Sequence, residues 1–451
     1  MTRTKDTTTL AALAAVATLT LAGAAPAQDL VHKAPAQDHA IYLVGGTVHT
    51  ATGEVIESGL VGFEGGVITY VGNADALASM SLPEGTEMID VSGRHVFPGM
   101  IATVTNLGLH EISAVPQSRD ENETGSFTPE VYAASAVNPD TTLIPVTRSN
   151  GILTCGTFPT GGWIPGRFSI LRADGWTNDD MAIDPHAGIT MNWPSVGEGY
   201  SAFGSRRGRG GNGDAQVDEI DAYFDTVEAY RARRSADPSH PVDIGLEAML
   251  DVMPSAGEDQ EPVFISAGGY DEIVSAVTWA VGRGLRPVIV GGRDAHLAAE
   301  LLTTHDVPVV LSGTYAFPKR EDSAHDEMYR MPITLSELGV RYAINCSDEN
   351  AHTRNLPYDP GRSVAYGLDL ESALRSVTLW PAQILGIGDT HGSLETGKAA
   401  TLVVADGHLL EVTTMVELAF VDGKRISLEN KQTELRDKYR EKYRQLGIIE
   451  D

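Results

Sequence analysis

Positive charge, cysteine and long apolar runs are all scarce in this chain. Among 451 residues there are 33 Lys and Arg against 61 Asp and Glu, a formal net charge of −28. That balance argues against a nucleic-acid backbone or an anionic membrane surface as a general partner, because like charges repel. Cys155 and Cys346 are the only cysteines, so the chain is not a disulfide scaffold. Either they form a single bridge or they are two buried thiols, and sequence alone leaves both open. Several catalytic signatures are incomplete as well. Gly199-Tyr200-Ser201-Ala202-Phe203 lacks the second glycine of a nucleophile elbow, and His110-Glu111 is not followed by the histidine of a helical zinc motif. No glycine-rich segment ends in the Lys-Ser/Thr of a phosphate loop.

What is present is a large apolar fraction, 42%, enough over this length to bury a substantial core and exclude an intrinsically disordered chain. The N-terminus carries Arg3 and Lys5, an uncharged apolar run over residues 10–24, and Ala25-Pro26-Ala27. This is the pattern of a removable secretory signal cut after Ala27. The run is shorter than the roughly 20 residues of a membrane-spanning helix, and no other stretch is long and apolar enough. The expected location is therefore periplasmic or secreted, without stable membrane insertion.

From residue 40 to 97 short β-branched and aromatic runs alternate with Gly, Asn and Asp turns, a small all-β module. Between residues 98 and 387 the rhythm becomes strand, then helix-length segment. Eight strands are expected at residues 100–105, 151–155, 167–171, 188–193, 262–266, 287–290, 308–311 and 341–345. Parallel pairing through crossover helices then predicts an α/β fold, a (β/α)8 barrel. Helices are expected over residues 215–234, 270–283, 296–303 and 368–379. The β pattern resumes at residues 388–428, so a composite β-sandwich built from both chain ends would carry the barrel as an insertion. A charged helical tail, residues 429–451, is expected to pack on the outside. The Arg/Gly-rich run at residues 205–213 reads as a flexible insert on a barrel loop, not as an RNA-binding segment.

Three stretches resemble the amidohydrolase superfamily, with its imidazolonepropionase-like and dihydroorotase-like members nearest in look. They are Pro98-Gly99-Met100-Ile101 after the β module, Thr378-Leu379-Trp380-Pro381-Ala382 with Leu385-Gly386, and Gly392-Ser393-Leu394-Glu395-Thr396-Gly397-Lys398-Ala399-Ala400 before a final strand. The resemblance spans about residues 41–425. It implies a metal-dependent barrel whose site lies at the C-terminal ends of the strands, with a divalent metal such as zinc as cofactor. The implied ligands are a His-x-His pair on the first strand, Lys or Glu on the fourth, one His each on the fifth and sixth, and Asp ending the eighth. Residues i and i+2 of a strand share a face, so the pair aims two imidazoles at one ion, which makes hydroxide available near neutral pH.

The sequence departs from that list. The first strand ends Val104-Thr105-Asn106, the fifth Ile265-Ser266-Ala267, and the sixth runs into Gly291-Gly292. None of the 13 histidines lies two positions from another. Only Asp348, after the eighth strand, occupies the implied acid/base position. A metal site rebuilt from three of His110, Glu111, His296, His305, His325, Asp348 and His352 is compatible with the spacing. The candidate catalytic residue is Asp348, and the candidate substrate-binding residues are Asn106, Glu111, Arg148, Ser266 and His352, chosen by fold position. Two functions follow. One is an exported hydrolase of carbon–nitrogen bonds such as those of cyclic amides, with a degenerate metal site. The other is an inactive relative that binds a small ligand or a partner. A small-molecule ligand is expected, no nucleic acid, and a homo-oligomer is compatible with the sequence.

Overall fold

The computed structural model describes residues 33–196, 213–254, 260–318, 320, 321, 323–346 and 350–450. The expected signal segment, most of the Arg/Gly-rich insert and Asp348 lie outside these residues.

Among the described residues sixteen strands form two sheets of eight. Five lead: β1 (Ile41–His49), β2 (Val55–Glu64), β3 (Val67–Asn73), β4 (Glu87–Asp90) and β5 (His95–Pro98). The barrel follows as β6 (Met100–Thr105), β7 (Ile152–Thr157), β8 (Gly166–Arg172), β9 (Ala182–Asn192), β10 (Val263–Ala267), β11 (Pro287–Gly291), β12 (Val309–Leu311) and β13 (Tyr342–Ile344). The chain then returns to the first sheet as β14 (Leu402–Ala405), β15 (Val416–Val421) and β16 (Lys424–Arg425). Its β14 pairs antiparallel with β5, Leu402 opposite Pro98, so both chain ends share one sheet.

Within that sheet β1 changes partner halfway. Its residues Ile41 to Val44 pair with β4, and Thr47 and Val48 pair with β5. The switch occurs at Gly45, whose φ is +87° and where a Cβ would meet Ser92 Oγ at 2.5 Å. Only glycine takes that conformation without strain or collision.

The barrel differs from the expected all-parallel ring at one strand. β8 runs antiparallel to both β7 and β9, whereas β6 with β7 and the series β9 to β13 are parallel. Linker length explains the reversal. Residues 158–165 and 173–181 are too short for the dozen or more residues of a parallel crossover. The interior is filled by Ile101, Phe168, Ile170, Phe264, Val288, Val310 and Ala343, one face of successive strands. Cys155 and Cys346 are not bridged to each other.

Among the described residues no strand ladder joins β13 to β6. Near the C-terminal ends the Asn345 carboxamide spans the gap: its Nδ2 donates to Val104 O at 2.6 Å, and Val104 N donates to its Oδ1 at 3.3 Å. Deeper in, Ile344 N donates to Ser376 O and Ile101 N to Val377 O, at 3.0 and 2.8 Å. These carbonyls are diverted from helical bonding, so the helix expected over 368–379 is confined to Leu370–Arg375, and a second helix, Leu379–Ile384, begins where it was expected to end. The second of them closes the barrel's N-terminal end with Ala382 and Ile384.

The helix Lys431–Gln445 meets the short helix Leu143–Arg148 and buries none of its side chains. A histidine cluster joins the ends of β1 and β5 to the turn after β14. His49 Nε2 lies 3.0 Å from His95 Nδ1, and the His49 ring stacks on Phe97 at 4.3 Å, with His408 edge-on at 5.4 Å. Burial, reinforced by the neighbouring imidazoles, pushes His49 and His408 down to about 4.

Two predictions follow from these contacts. Replacing Asn345 by Ala removes both hydrogen bonds across the seam and should lower stability by about 2 kcal/mol; a urea denaturation midpoint unchanged within error would refute its role in closure. For the histidines, the unfolded chain takes up protons near the ordinary value of 6.5 that the folded chain refuses until about 4. Their contribution is therefore complete above about pH 6.5 and is lost as the pH falls toward 4. His408→Phe should flatten that part of the stability–pH curve relative to the parent, and an identical slope in both proteins would count against the assignment.

Candidate functional site at the barrel mouth

The C-terminal ends of the barrel strands surround a cavity of about 110 Å3, lined among others by Val104, Asn106, Thr190, Asn192, Phe264 and Ser266. Strand alternation delivers them. Val104 and Asn106 follow Ile101 and Ala102 at the end of β6, and Thr190 with Asn192, and Phe264 with Ser266, are i, i+2 pairs on β9 and β10. The floor is aromatic. Phe158 and Phe168 stack with centroids 4.4 Å apart and planes 2° from parallel, and Phe264 leans on both at 5.2 and 4.7 Å. Amides and hydroxyls share the cavity walls with Val104, Pro159 and Val290. Asn106 Nδ2 donates to Phe158 O at 2.8 Å, and Asn192 Nδ2 donates to Gly161 O and Gly162 O at 3.2 and 3.0 Å. Thr190 Oγ1 is buried with no hydrogen-bond partner among the described residues.

Carboxylates tie the strand-following loops together. Glu272 accepts from Gly268 N and Gly269 N, both at 3.1 Å, and from Ser195 Oγ at 3.0 Å, joining the loops after β9 and β10. Buried Asp294 accepts from Tyr270 N at 3.2 Å and pairs with Arg320 at 3.1 Å, joining the loops after β10, β11 and β12. Asp359 accepts from Thr314 N at 2.7 Å and Tyr315 N at 3.2 Å, anchoring the loop after β12. Burial raises the Asp359 carboxyl above the ordinary value, opposed by these Thr314 bonds. On the loop after β6, Glu121 is nearly fully buried beside Arg119, at 2.6 Å, and His110, at 3.6 Å, while its Oε2 has no partner among the described residues.

The sequence candidates divide accordingly. Asn106 and Ser266 meet in the cavity wall. His352 lies in the 3-10 turn Asn350–Asn355, and its carbonyl accepts from Cys346 Sγ at 3.1 Å, which holds that turn to the end of β13. Asp348 belongs to the segment between these two anchors. Glu111 does not line the cavity; its carboxylate receives Asn138 Nδ2 at 3.4 Å on the loop after β6. Arg148 sits at the opposite end of the barrel, almost completely buried, where it pairs with Asp174 at 2.7 Å and donates to Ala173 O at 3.3 Å. Burial lowers its pKa and Asp174 counters the shift. Its charge is committed to structure, because the helix Leu143–Arg148 leads into the N-terminal end of β7. Sequence reading missed Thr190, Asn192, Asn345 and the loop carboxylates. Their shared signal, a polar side chain at a strand end, is too common to single them out.

The ligands of the implied transition metal are not assembled by the described residues. Val104 offers no donor atom, and Asn106 and Ser266 offer neutral oxygens that suit zinc poorly. No group of three or more His, Cys, Asp or Glu side chains among the described residues is placed to hold an ion.

Comparison with known proteins bears on the whole chain. An amidohydrolase from Thermotoga maritima MSB8 shares 22% identity with a TM-score of 0.73, covering 86% of this chain and 99% of that one. A Xaa-Pro dipeptidase solved with methionine in its active site covers the same share of this chain at 16% identity and a TM-score of 0.53. At these identities the likeness shows the fold. Among curated proteins, the amidohydrolase tasK of Hapsidospora irregularis is 23% identical over 80% of this chain and 39% of its own length. An imidazolonepropionase of Syntrophobacter fumaroxidans is 38% identical over 76 residues, 16% of this chain and 18% of that protein. The chain thus spans less than two fifths of the length of these curated relatives. The sequence profile of the amidohydrolase family matches residues 190–426, more than half of the chain. With its eight-stranded barrel, two-ended sheet and this match, the chain belongs to the amidohydrolase family.

Proposed function

We propose that the protein is an exported hydrolase of carbon–nitrogen bonds other than peptide bonds, acting on small cyclic amides at the barrel mouth. Family membership supports the hydrolase class, and the local identity with imidazolonepropionases supports the bond type. What supports the reading is the anchoring of the described residues that flank position 348 in the sequence. Asn345 holds one side to β6, and the Cys346–His352 bond holds the other. In this reading Asp348 takes a proton from the attacking water as the water oxygen bonds to the carbonyl carbon. It returns the proton to the nitrogen as the C–N bond breaks. Asn106 and Ser266, on the cavity wall, orient the amide. Export rests on the N-terminal signal pattern and predicts a mature N-terminus at Gln28. The degenerate site means that no step is assigned to a metal.

A second reading, ligand binding without turnover, is favoured by the aromatic floor and by Val104, Asn106 and Ser266 at the strand ends, which suit zinc poorly. Two measurements separate them. With zinc and manganese supplied during expression, the purified protein should carry less than about a tenth of an equivalent of either; a full equivalent would overturn the account of the strand ends. Hydrolysis of hydantoin, dihydrouracil and imidazolone probes should be detectable in the parent and lost in Asp348→Asn with the fold intact. Activity retained in that variant would remove Asp348 from the mechanism, and an inactive parent that still binds a probe in calorimetry would leave the second reading.

A further inference from the structure

Within the cavity at the barrel mouth one polar atom is left over. Thr190 is 6% exposed, and its Oγ1 is buried with no hydrogen-bond partner among the described residues. A buried hydroxyl in that state has lost its hydration with nothing in return, so it calls for a ligand or a bound water. Thr190 stands opposite Phe264 in the β9–β10 ladder, and Phe264 leans on Phe158 at 5.2 Å. The hydroxyl thus belongs to the aromatic floor. Two residues further along β9, Asn192 directs its Nδ2 to Gly161 O and Gly162 O. The amide oxygen is then the end left to a ligand, and it can only accept.

Size and charge narrow what can answer these groups. An apolar cavity of about 150 Å3 takes up benzene, so about 110 Å3 has room for a single five- or six-membered ring. Ring faces such as those of Phe158 and Phe264 present the negative side of their quadrupole. Among the described residues that line the cavity none carries a positive charge. A carboxylate drawn from water into such a place meets acceptor oxygens and π-faces, and its desolvation goes uncompensated. We infer that the mouth takes one uncharged ring with C=O and N–H groups on its edge, laid against Phe158 and Phe264. A ring C=O accepts from Thr190 Oγ1, and a ring N–H donates to Asn192 Oδ1. Thr190 separates such a ring from a hydrocarbon, and the lining separates it from the same ring bearing a carboxylate. This selection rests on the barrel mouth being the site, as proposed above, and not on turnover there.

Equilibrium binding tests it, with Asp348→Asn in the full chain to arrest hydrolysis. Calorimetry should show saturable binding of dihydrouracil. Dihydroorotate, the same ring with one carboxylate added, should bind at least about tenfold more weakly. Thr190→Val removes the hydroxyl at constant shape and should weaken dihydrouracil about tenfold. Its urea midpoint without ligand should stay level or rise, since no bond to a described residue is lost. Thr190→Ser should restore the affinity. The assignment falls if dihydroorotate binds as well as dihydrouracil, or if neither ring binds up to about 10 mM. It falls equally if Thr190→Val binds dihydrouracil unchanged, as it would were a water the only partner of Oγ1, or if that variant is destabilised, which would mark a structural role. A parent that binds dihydrouracil selectively yet never opens it loses the hydrolase reading and keeps this one. A parent that prefers to hydrolyse dihydroorotate does the opposite.

Discussion

The barrel depends on one joint that is not a strand pair. Between β13 and β6 the ladder is missing, and the gap is spanned by a side-chain amide at one end and two carbonyls of a passing segment at the other. A carboxamide matches the pattern of a peptide group, one donor and one acceptor on neighbouring atoms. Asn345 therefore acts as an extra link of sheet where the backbones stand too far apart. Ser376 and Val377 do the same with main-chain atoms and lose helical continuity in the exchange. Every strand end at the mouth is positioned relative to this closure, because an open sheet would let β6 and its neighbours splay.

The same economy governs the rim. Glu272, Asp294 and Asp359 each draw backbone N–H groups from loops that follow different strands. A charge-assisted bond to a carboxylate is about twice as strong as a neutral one. Three such groups can hold loops whose own packing is modest. The acidic composition thus includes structural carboxylates at the barrel mouth, Asp294 and Asp359 among them buried. What these clamps surround is apolar below and neutral-polar on the walls. The family scaffold persists with Val104, Asn106 and Ser266 at the mouth, because core packing below them places no demand on the identity of those side chains.

That independence explains what could be read from the chain. The β-branched runs located the eight barrel strands and both parts of the other sheet, since burial on both faces leaves a strong hydrophobic signal. Strand direction leaves none. The reversal of β8 resides in the length of residues 158–165 and 173–181, not in its apolar pattern. Asn106 and Ser266 could be placed at the mouth because alternation fixes which residue ends a strand facing inward. Arg148 could not, because its partner Asp174 is joined to it only by tertiary packing. The early end of the helix at Arg375 was equally hidden, since the carbonyls of Ser376 and Val377 serve strands elsewhere.

The reversed strand also gives this barrel an uneven order of assembly. β7, β8 and β9 pair in succession through short linkers, so their contacts close small loops at low entropic cost. The β5–β14 ladder is the reverse case, matching Pro98 to Leu402 across the whole intervening barrel. Contacts of such separation are rewarded only after the chain between them has condensed. The meander is thus suited to serve as the early nucleus, and the two-ended sheet as the last lock, engaged once the C-terminal strands have joined the rest.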